Sequence, residues 1–458
     1  MNMINKKADV VVIGAGLTGL TASFHLSRRG KNVMVVERQR RIGGQIQSYN
    51  EDGFIFESGP NTGVISHPEV AELFSALGDE CHLEVAREEA KRRLIWKDDA
   101  FHPLPSGIVS AVTTPLFTFH DKFRILGEPF RKKGTNPDES VGELASRRLG
   151  KSFVNYAVDP FLSGVYAGDP WRLVTRYALP KLYNLEQQYG SFIKGSIAKA
   201  KQPKTAREQL ASKKVFSVKG GLSSLAEALY YGIGTSHFLL GSELTIVKPL
   251  ENGHWLVICQ TRNSHVEIET PKVVTTVGAY ALPELLPFVP QEEMKIISSL
   301  KYAPIVQVSV GVRNTGKLHF NAFGGLVPSC EQQDVLGILY PSACFAHRSP
   351  ALGALFSFFI GGVKHPEIVD KSDEEIRSLI DHAFHSMLKF PTDKHPDMVR
   401  IFRHKQAIPQ YGVDCGERWA AVERVEKTYA GLTIAGNLRG GIGMADRIRQ
   451  GAQIAASI

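Results

Sequence analysis

Cysteine is scarce in this 458-residue chain. There are five, Cys81, Cys259, Cys330, Cys344 and Cys415, an odd number with no CxxC pair. That argues against a disulfide framework and a zinc site, so no metal is expected, and it fits a reducing compartment. Long apolar runs are missing too. The most apolar stretch, Ala351 to Val363, is too short to span a bilayer. No secretory leader is visible either. A glycine turn begins at Gly14, and the residues before it are needed as a strand. No room is left for a charged segment, an apolar segment and a cleavage site. A cytoplasmic protein is expected, with attachment to the inner face of the cell membrane left open.

What is present reads as a globular chain, 43% hydrophobic and 22% charged, too long for one ordinary core. Two or three domains are expected. The net charge of +8 suits anionic substrates or an anionic membrane surface, and equally a merely basic soluble protein. No nucleic-acid partner is expected, and a homodimer is left open.

The N-terminus carries the clearest pattern. Ala8 to Ile13, ADVVVI, is a short apolar, β-branched run of the kind that forms a buried parallel strand. Gly14-Ala15-Gly16-Leu17-Thr18-Gly19 follows at once. Leu17, Leu20, Phe24 and Leu26 then recur at roughly helical spacing up to Arg29, and Gly30 is a helix stop. Asn32 to Val36 reads as a second strand ending at Glu37. Strand, glycine turn, helix, strand and acid together make a dinucleotide-binding unit. Gly14 permits the tight turn, Gly16 lets a pyrophosphate approach the backbone, and Gly19 lets helix and strand pack closely. The helix N-terminus offers free N–H groups to phosphate, and Glu37 can accept from ribose hydroxyls.

The next segment indicates which dinucleotide. Glu37-Arg38 leads into Arg41-Ile42-Gly43-Gly44-Gln45, then Gly53-Phe54-Ile55-Phe56-Glu57-Ser58-Gly59-Pro60-Asn61. A second glycine pair soon after the acid, then an FxxxxGP segment, resembles the two-domain FAD amine oxidase and desaturase superfamily. Gln45 departs from it, because a basic residue often follows that glycine pair. Val218-Lys219-Gly220-Gly221-Leu222, a helix Ser223 to Tyr230 and a strand Ser242 to Val247 resemble the return of the chain into the FAD domain. Near the C-terminus, Gly431 to Asn437 reads as a strand entering a glycine turn, and Gly440-Gly441-Ile442-Gly443-Met444 opens a last helix.

The resemblance implies one non-covalent FAD per chain. Gly14, Ala15, Gly16, Gly19, Glu37 and Arg38 would hold its nucleotide end, with Val247 at the adenine. Gly44, Gln45, Gly59, Pro60, Asn61 and Thr62 would follow the pyrophosphate and ribityl chain. Asn437, Ile442, Gly443 and Met444 would meet the flavin, where a helix dipole stabilises negative charge on the reduced ring. For Val247 a plain core valine is the competing reading, and for the last helix, packing alone.

Residues 86 to 212 carry no dinucleotide-fold pattern. Arg92 to Trp96 and Ala100 to Pro105 read as a hairpin, and Gly107 to Phe130 is apolar with scattered bases. That stretch suits a peripheral membrane face or a buried helical subdomain equally. Leu104-Pro105-Ser106-Gly107, Pro160 to Pro170 with its GVYAG core, Leu179-Pro180-Lys181-Leu182 and Phe323 to Ser329 resemble the protoporphyrinogen oxidases and their coproporphyrinogen-oxidising relatives. That family resemblance implies a porphyrinogen substrate, six electrons removed in three flavin cycles, oxygen as acceptor and peroxide as product, in haem biosynthesis. It implies that Arg93 meets a substrate carboxylate and that Gly164 lies against the substrate. The competing readings are a solvated strand-edge charge for Arg93 and a positive-φ turn for Gly164. The chemistry would be carried at flavin N5, and no catalytic acid or base is assigned. Arg92, Lys97 and Lys181 are candidates for the extra carboxylates of coproporphyrinogen, and both substrates stay open. A flavin amine oxidase, a carotenoid desaturase and a non-catalytic carrier on the same fold are the alternatives.

The expected architecture is α/β. A Rossmann-type FAD domain would comprise 1–85, 213–279 and 405–458. A mixed-sheet substrate domain would comprise 86–107, 179–212 and 280–404, and a helical subdomain 108–178.

Overall fold

The computed structural model describes residues 2–262 and 264–458. The chain is α/β, built around two large sheets. The first has five parallel strands, in the order Phe238–Leu240, Val33–Glu37, Val10–Ile13, Val273–Thr275 and Leu432–Ile434. Its central strand shows why ADVVVI is continuously apolar. Val10 and Val12 enter one core with Leu20 and Phe24 of the following helix. Val11 and Ile13 enter another with Val257 and Ile268. Both faces are covered, and each Val or Ile so buried contributes about 1.5–3 kcal/mol. The helix runs Leu17–Arg28. It stops as expected at Gly30, whose φ is +78° and whose N–H donates to Ser27 O.

The strand that leads to the turn is shorter than the apolar run, and a separate strand precedes it. Asn2–Lys7 pairs in parallel with Ser264–Thr270, at the edge of a four-stranded sheet that also holds Trp255–Gln260 and Leu244–Pro249. Its sequence, NMINKK, has no polar–apolar alternation and gave no sign of this distant partner.

The second large sheet has seven strands, in the order Met398–Pro409, Tyr302–Val312, Ala354–Gly361, Val335–Leu339, Gly324–Leu326, Arg93–Lys97 and Ala100–Pro103. The last two form the expected hairpin. The helix Asp373–Ser386 covers one face: Ile376, Ile380 and Phe384 share a core with Val308, Val310, Phe356 and Phe358. The other face looks toward the parallel sheet.

Between Pro103 and Val215 the described residues form helices and no strands. The helical stretch therefore extends past 178. Glu186 of the helix Pro180–Tyr189 is tied to the helix Val141–Leu149 by Arg148, whose side chain is fully buried. Arg148 donates to Glu128 and Glu186 at 2.6 Å each and to the Gly190 carbonyl at 2.7 Å. No helix is long and apolar enough to cross a membrane among the described residues.

Candidate functional site

The candidate residues gather where the parallel strands end, each glycine for its own reason. Gly14 has φ +104°, a conformation that favours glycine. At Gly19 a Cβ would fall 2.0 Å from the Gly14 carbonyl oxygen, so helix and strand touch only because it is absent. Gly16 is under no such constraint. Its φ is −76°, and a Cβ would meet nothing within 4 Å. Nothing in the protein itself demands glycine at 16. The missing side chain keeps space beside a helix N-terminus that has no side-chain cap and no acid in its first turn. Free N–H groups, a positive dipole end and bare backbone are what a phosphate requires.

The second glycine pair docks on the first. Gly43 N–H donates to Ala15 O at 2.8 Å, and a Cβ on Gly44 would sit 3.0 Å from Gly16 Cα. Gly59 closes on the same loop, since its Cβ would lie 2.1 Å from Gln45 O. Segments 14–19, 43–45 and 59–62 thus form one cradle. Pro60 and Thr62 are partly exposed in it. Asn61 is anchored, its amide donating to Gly59 O and its carbonyl accepting from Ser357 Oγ at 2.8 Å.

Glu37 lies beside the turn, accepting from Ala15 N–H at 2.7 Å and Gln39 N–H at 2.8 Å. Its remaining lone pairs can still take ribose hydroxyls. Ala15 is wholly buried and uses both main-chain groups internally, so it braces the turn and presents no surface. Arg38 is exposed and forms no ion pair among the described residues. Gln45 turns away from the turn, donating to the carbonyls of Gln406 and Ala407. Val247 is 0% exposed in the core beside Met34 and Val36. Its side chain is the plain core valine of the competing reading, and only the main chain of its edge strand is available to a ligand.

At the C-terminus the strand and glycine turn form as expected, but the helix starts only at Met444. The Met444 side chain is buried with the first helix, and the residue as a whole is 7% exposed. Gly443 is the exposed N-cap, and Ile442 is partly buried. Asn437 is clamped by two tyrosines. Tyr302 OH donates to its Oδ1 at 3.2 Å, and Tyr411 OH reaches its carbonyl at 2.8 Å and Gly441 O at 3.0 Å. Burial pushes the Tyr411 phenol far above its ordinary range, so it stays a donor. Asp446, in the helix's first turn, accepts from Gly443 N–H at 3.2 Å and pairs with His67 at 3.0 Å. Burial alone would raise this carboxyl, but the His67 hydrogen bond and nearby Arg449 hold it low. The dipole end assigned to the flavin therefore already faces one carboxylate. Thr276, whose hydroxyl reaches the Ile13 and Gly14 carbonyls at 3.2 Å, carries no local sequence signal, nor do Tyr302, Tyr411 and His67; only the folded chain brings them to the cradle.

Arg93 connects to this cradle through sheet register. Ser357 pairs with Leu339, Leu339 with Gly324, and Gly324 with Arg93. Residues in such a row share a face, and Ser357 touches Asn61 on that face. Arg93 is three strands along, about 14 Å at ordinary strand spacing. Two residues further on, Leu326 meets Gly164, whose added Cβ would fall 2.4 Å from Leu326 Cδ2. Gly164 is therefore helical, within Asp159–Tyr166, and the positive-φ turn is not formed. Phe161 and Val165 expose apolar surface on the same helix. Arg93 is exposed, stacks on Phe323 at 5.5 Å and forms no ion pair among the described residues. Lys97 is already engaged, donating to Pro115 O and lying over Tyr156.

The arrangement is an extended glycine-lined cradle facing a sheet whose Arg93 is unpaired among the described residues. A family model for flavin-containing amine oxidoreductases matches residues 17–458. This chain belongs to that family, in its protoporphyrinogen oxidase group. Protoporphyrinogen oxidase of Bos taurus is 30% identical, over 98% of each chain. Protoporphyrinogen oxidase 2 of Arabidopsis thaliana is 29% identical, over 97% of this chain and 92% of that one. A crystal structure provisionally named protoporphyrinogen oxidase, from Exiguobacterium sp. 255-15, superposes with a TM-score of 0.81 at 23% identity, covering 100% of this chain and 99% of that one. The family makes the chain a flavin-dependent oxidoreductase, and the open space at Gly16 fits such a cofactor.

Proposed function

We propose that this enzyme binds FAD and oxidises a porphyrinogen to the porphyrin, with molecular oxygen as acceptor. The observation that carries the substrate is Arg93: a guanidinium on the cradle's face of the sheet, without an ion-pair partner among the described residues, placed for a carboxylate arm of a large ligand. Gly16, Gly19, Glu37, Gly44 and Gly59 to Thr62 would hold the dinucleotide, and Asn437 and the backbone at 442–444 the ring. When bound, flavin supplies two-electron oxidation and hands the electrons to oxygen, so removal of six electrons takes three cycles and forms peroxide.

The protein's own share is binding and orientation. Arg93 fixes one acidic arm by charge-assisted hydrogen bonds. Phe161 and Val165 offer an apolar wall for the macrocycle, and Gly164, whose missing Cβ lets Leu326 pack close, would lie against the substrate between them. Tyr302 and Tyr411 keep the Asn437 turn rigid. Steady-state assays on protoporphyrinogen IX and coproporphyrinogen III side by side, following porphyrin fluorescence and peroxide, test the reading. Turnover of one or both with peroxide supports it. A protein that turns over neither, while binding flavin, sinks the substrate assignment.

A peripheral membrane contact is part of the same proposal. Phe119, Phe123, Leu126 and Phe130 are 68–86% exposed, and the first three follow i, i+4, i+7 spacing on the helix Phe119–Leu126. Lys122 and Arg124 lie among them. Such a face suits an anionic bilayer surface. Co-sedimentation with anionic vesicles, abolished in Phe119→Asp/Phe123→Asp, is the expected result; equal sedimentation of both proteins refutes it.

A further inference from the structure

We propose that Asp381, His385 and His395 bind one divalent transition-metal ion of the zinc or copper class. The site lies on the far side of the seven-stranded sheet from the flavin cradle. Asp381 and His385 sit one turn apart on the helix Asp373–Ser386. His395 comes from the loop between that helix and the edge strand Met398–Pro409. The three offer ligand atoms that all lie within 4.8 Å of one another.

The ring orientation of His385 is what singles this cluster out. Its Nδ1 lies 3.0 Å from the Phe390 carbonyl oxygen. A carbonyl can only accept, so Nδ1 carries the proton and donates. In the neutral ring Nε2 is then left as a lone pair, and it faces Asp381 Oδ1 at 3.5 Å. A histidine that donates one ring N–H to a backbone carbonyl while its other nitrogen faces a carboxylate has the usual second contact of a metal ligand. The His395 ring stands nearly perpendicular to it, at 86° with centroids 6.5 Å apart.

Zinc bound tetrahedrally at about 2.0–2.1 Å holds its ligand atoms roughly 3.3 Å apart. The Asp381–His385 pair is already close to that. Only His395, which is exposed, must swing inward. Two imidazoles and one carboxylate form a borderline donor set that suits zinc and copper rather than calcium or magnesium. A groove lined by Arg377, Ser378, Ile380, Asp381, Pro396 and Val399 opens beside the cluster, which gives the ion an access path and leaves room for water as a fourth ligand. The ion would cross-link helix and loop just before the edge strand begins. The scarcity of cysteine argued against zinc; this site uses none.

The test uses untagged, flavin-loaded enzyme stripped with chelator and then exchanged out of it. Titration with Zn2+ should show one tight equivalent. His395→Ala should weaken it by more than about 100-fold, beyond the 10–100-fold typical of outer-sphere changes. His382→Ala, a neighbouring exposed histidine, should bind like wild type. With Cu2+, electron paramagnetic resonance should show two coupled nitrogens in the wild type and one in His395→Ala. Flavin absorbance and turnover should not change. Absence of a stoichiometric ion in the wild type, equal affinity in His395→Ala, or an equal loss in His382→Ala would overturn the proposal.

Discussion

Gly16→Ala and Gly19→Ala differ by three positions in one turn, yet they should fail in opposite ways. At Gly19 the new Cβ lies 2.0 Å from the Gly14 carbonyl oxygen, whereas ordinary contact begins at 3.4 Å. The helix must retreat by about 1.4 Å from a strand that is buried on both faces, an overpacking that costs about 3 kcal/mol at the upper end of the usual range. Alanine's better helix propensity returns about 1 kcal/mol. The net is a loss of about 2 kcal/mol. At Gly16 the backbone is relaxed and the new methyl meets no protein atom. The flavin-free protein should keep its stability to within about 1 kcal/mol, because the lost freedom of the unfolded chain is offset by alanine's being a poorer N-cap than glycine at this position. The methyl would instead stand where the dinucleotide approaches. A clash of about 1–3 kcal/mol there weakens flavin binding roughly 5- to 150-fold. Urea unfolding of flavin-free protein and flavin titration by fluorescence quenching separate the two effects. If Gly16→Ala binds flavin like the wild type, the assignment of Gly16 to the cofactor is wrong.

Three further outcomes are expected. Arg93→Ala should raise KM about 10-fold while kcat holds, since one charge-assisted contact is worth about 1.5 kcal/mol at an exposed site; an unchanged KM removes Arg93 from the substrate site. Arg148→Met leaves Glu128 and Glu186 buried without their shared cation and should cost about 3–5 kcal/mol in urea unfolding; a loss under 1 kcal/mol would show that the two carboxylates do not depend on it. Glu57 concerns pH. Burial raises its carboxyl to about 7, against the opposing hydrogen bonds from Ser48 and Leu222 N–H. The folded state therefore holds a proton that the unfolded chain releases near 4.5. Its contribution is present below pH 4.5 and is lost as the pH rises to about 7, up to about 3 kcal/mol. Glu57→Gln should remove that decline, so the stability difference between wild type and variant should change sharply between pH 5 and pH 8; a constant difference contradicts it.

Local chemistry made the glycine cradle legible. A φ above zero at Gly14, close packing at Gly19 and open backbone at Gly16 are demands on single residues within one turn, so one short segment records them. The continuous apolar run before the turn likewise encodes a strand covered on both faces. The resemblance of GVYAG and LPSG to one family pointed toward a tetrapyrrole, which no glycine turn could do. Other readings stayed open where a residue's surroundings depend on distant partners. Val247 fits both an adenine contact and a core valine by its type; 0% exposure decides for the side chain. Gly164 fits both a turn and a close helix contact; Leu326, remote in sequence, decides for the helix.

The sequence by itself determined a glycine-turn cradle at the end of a parallel strand, because strand, turn and helix are each specified by neighbours in the chain. Only the tertiary structure decided what faces it. The row from Ser357 through Leu339 and Gly324 to Arg93 joins four strands from separate parts of the chain, and sheet register is set by packing across the whole core rather than by any local pattern. The same holds for Asp446 meeting His67 and for His395 meeting the helix that carries Asp381 and His385. Such pairs exist only once long-range packing has paid out the chain's conformational entropy.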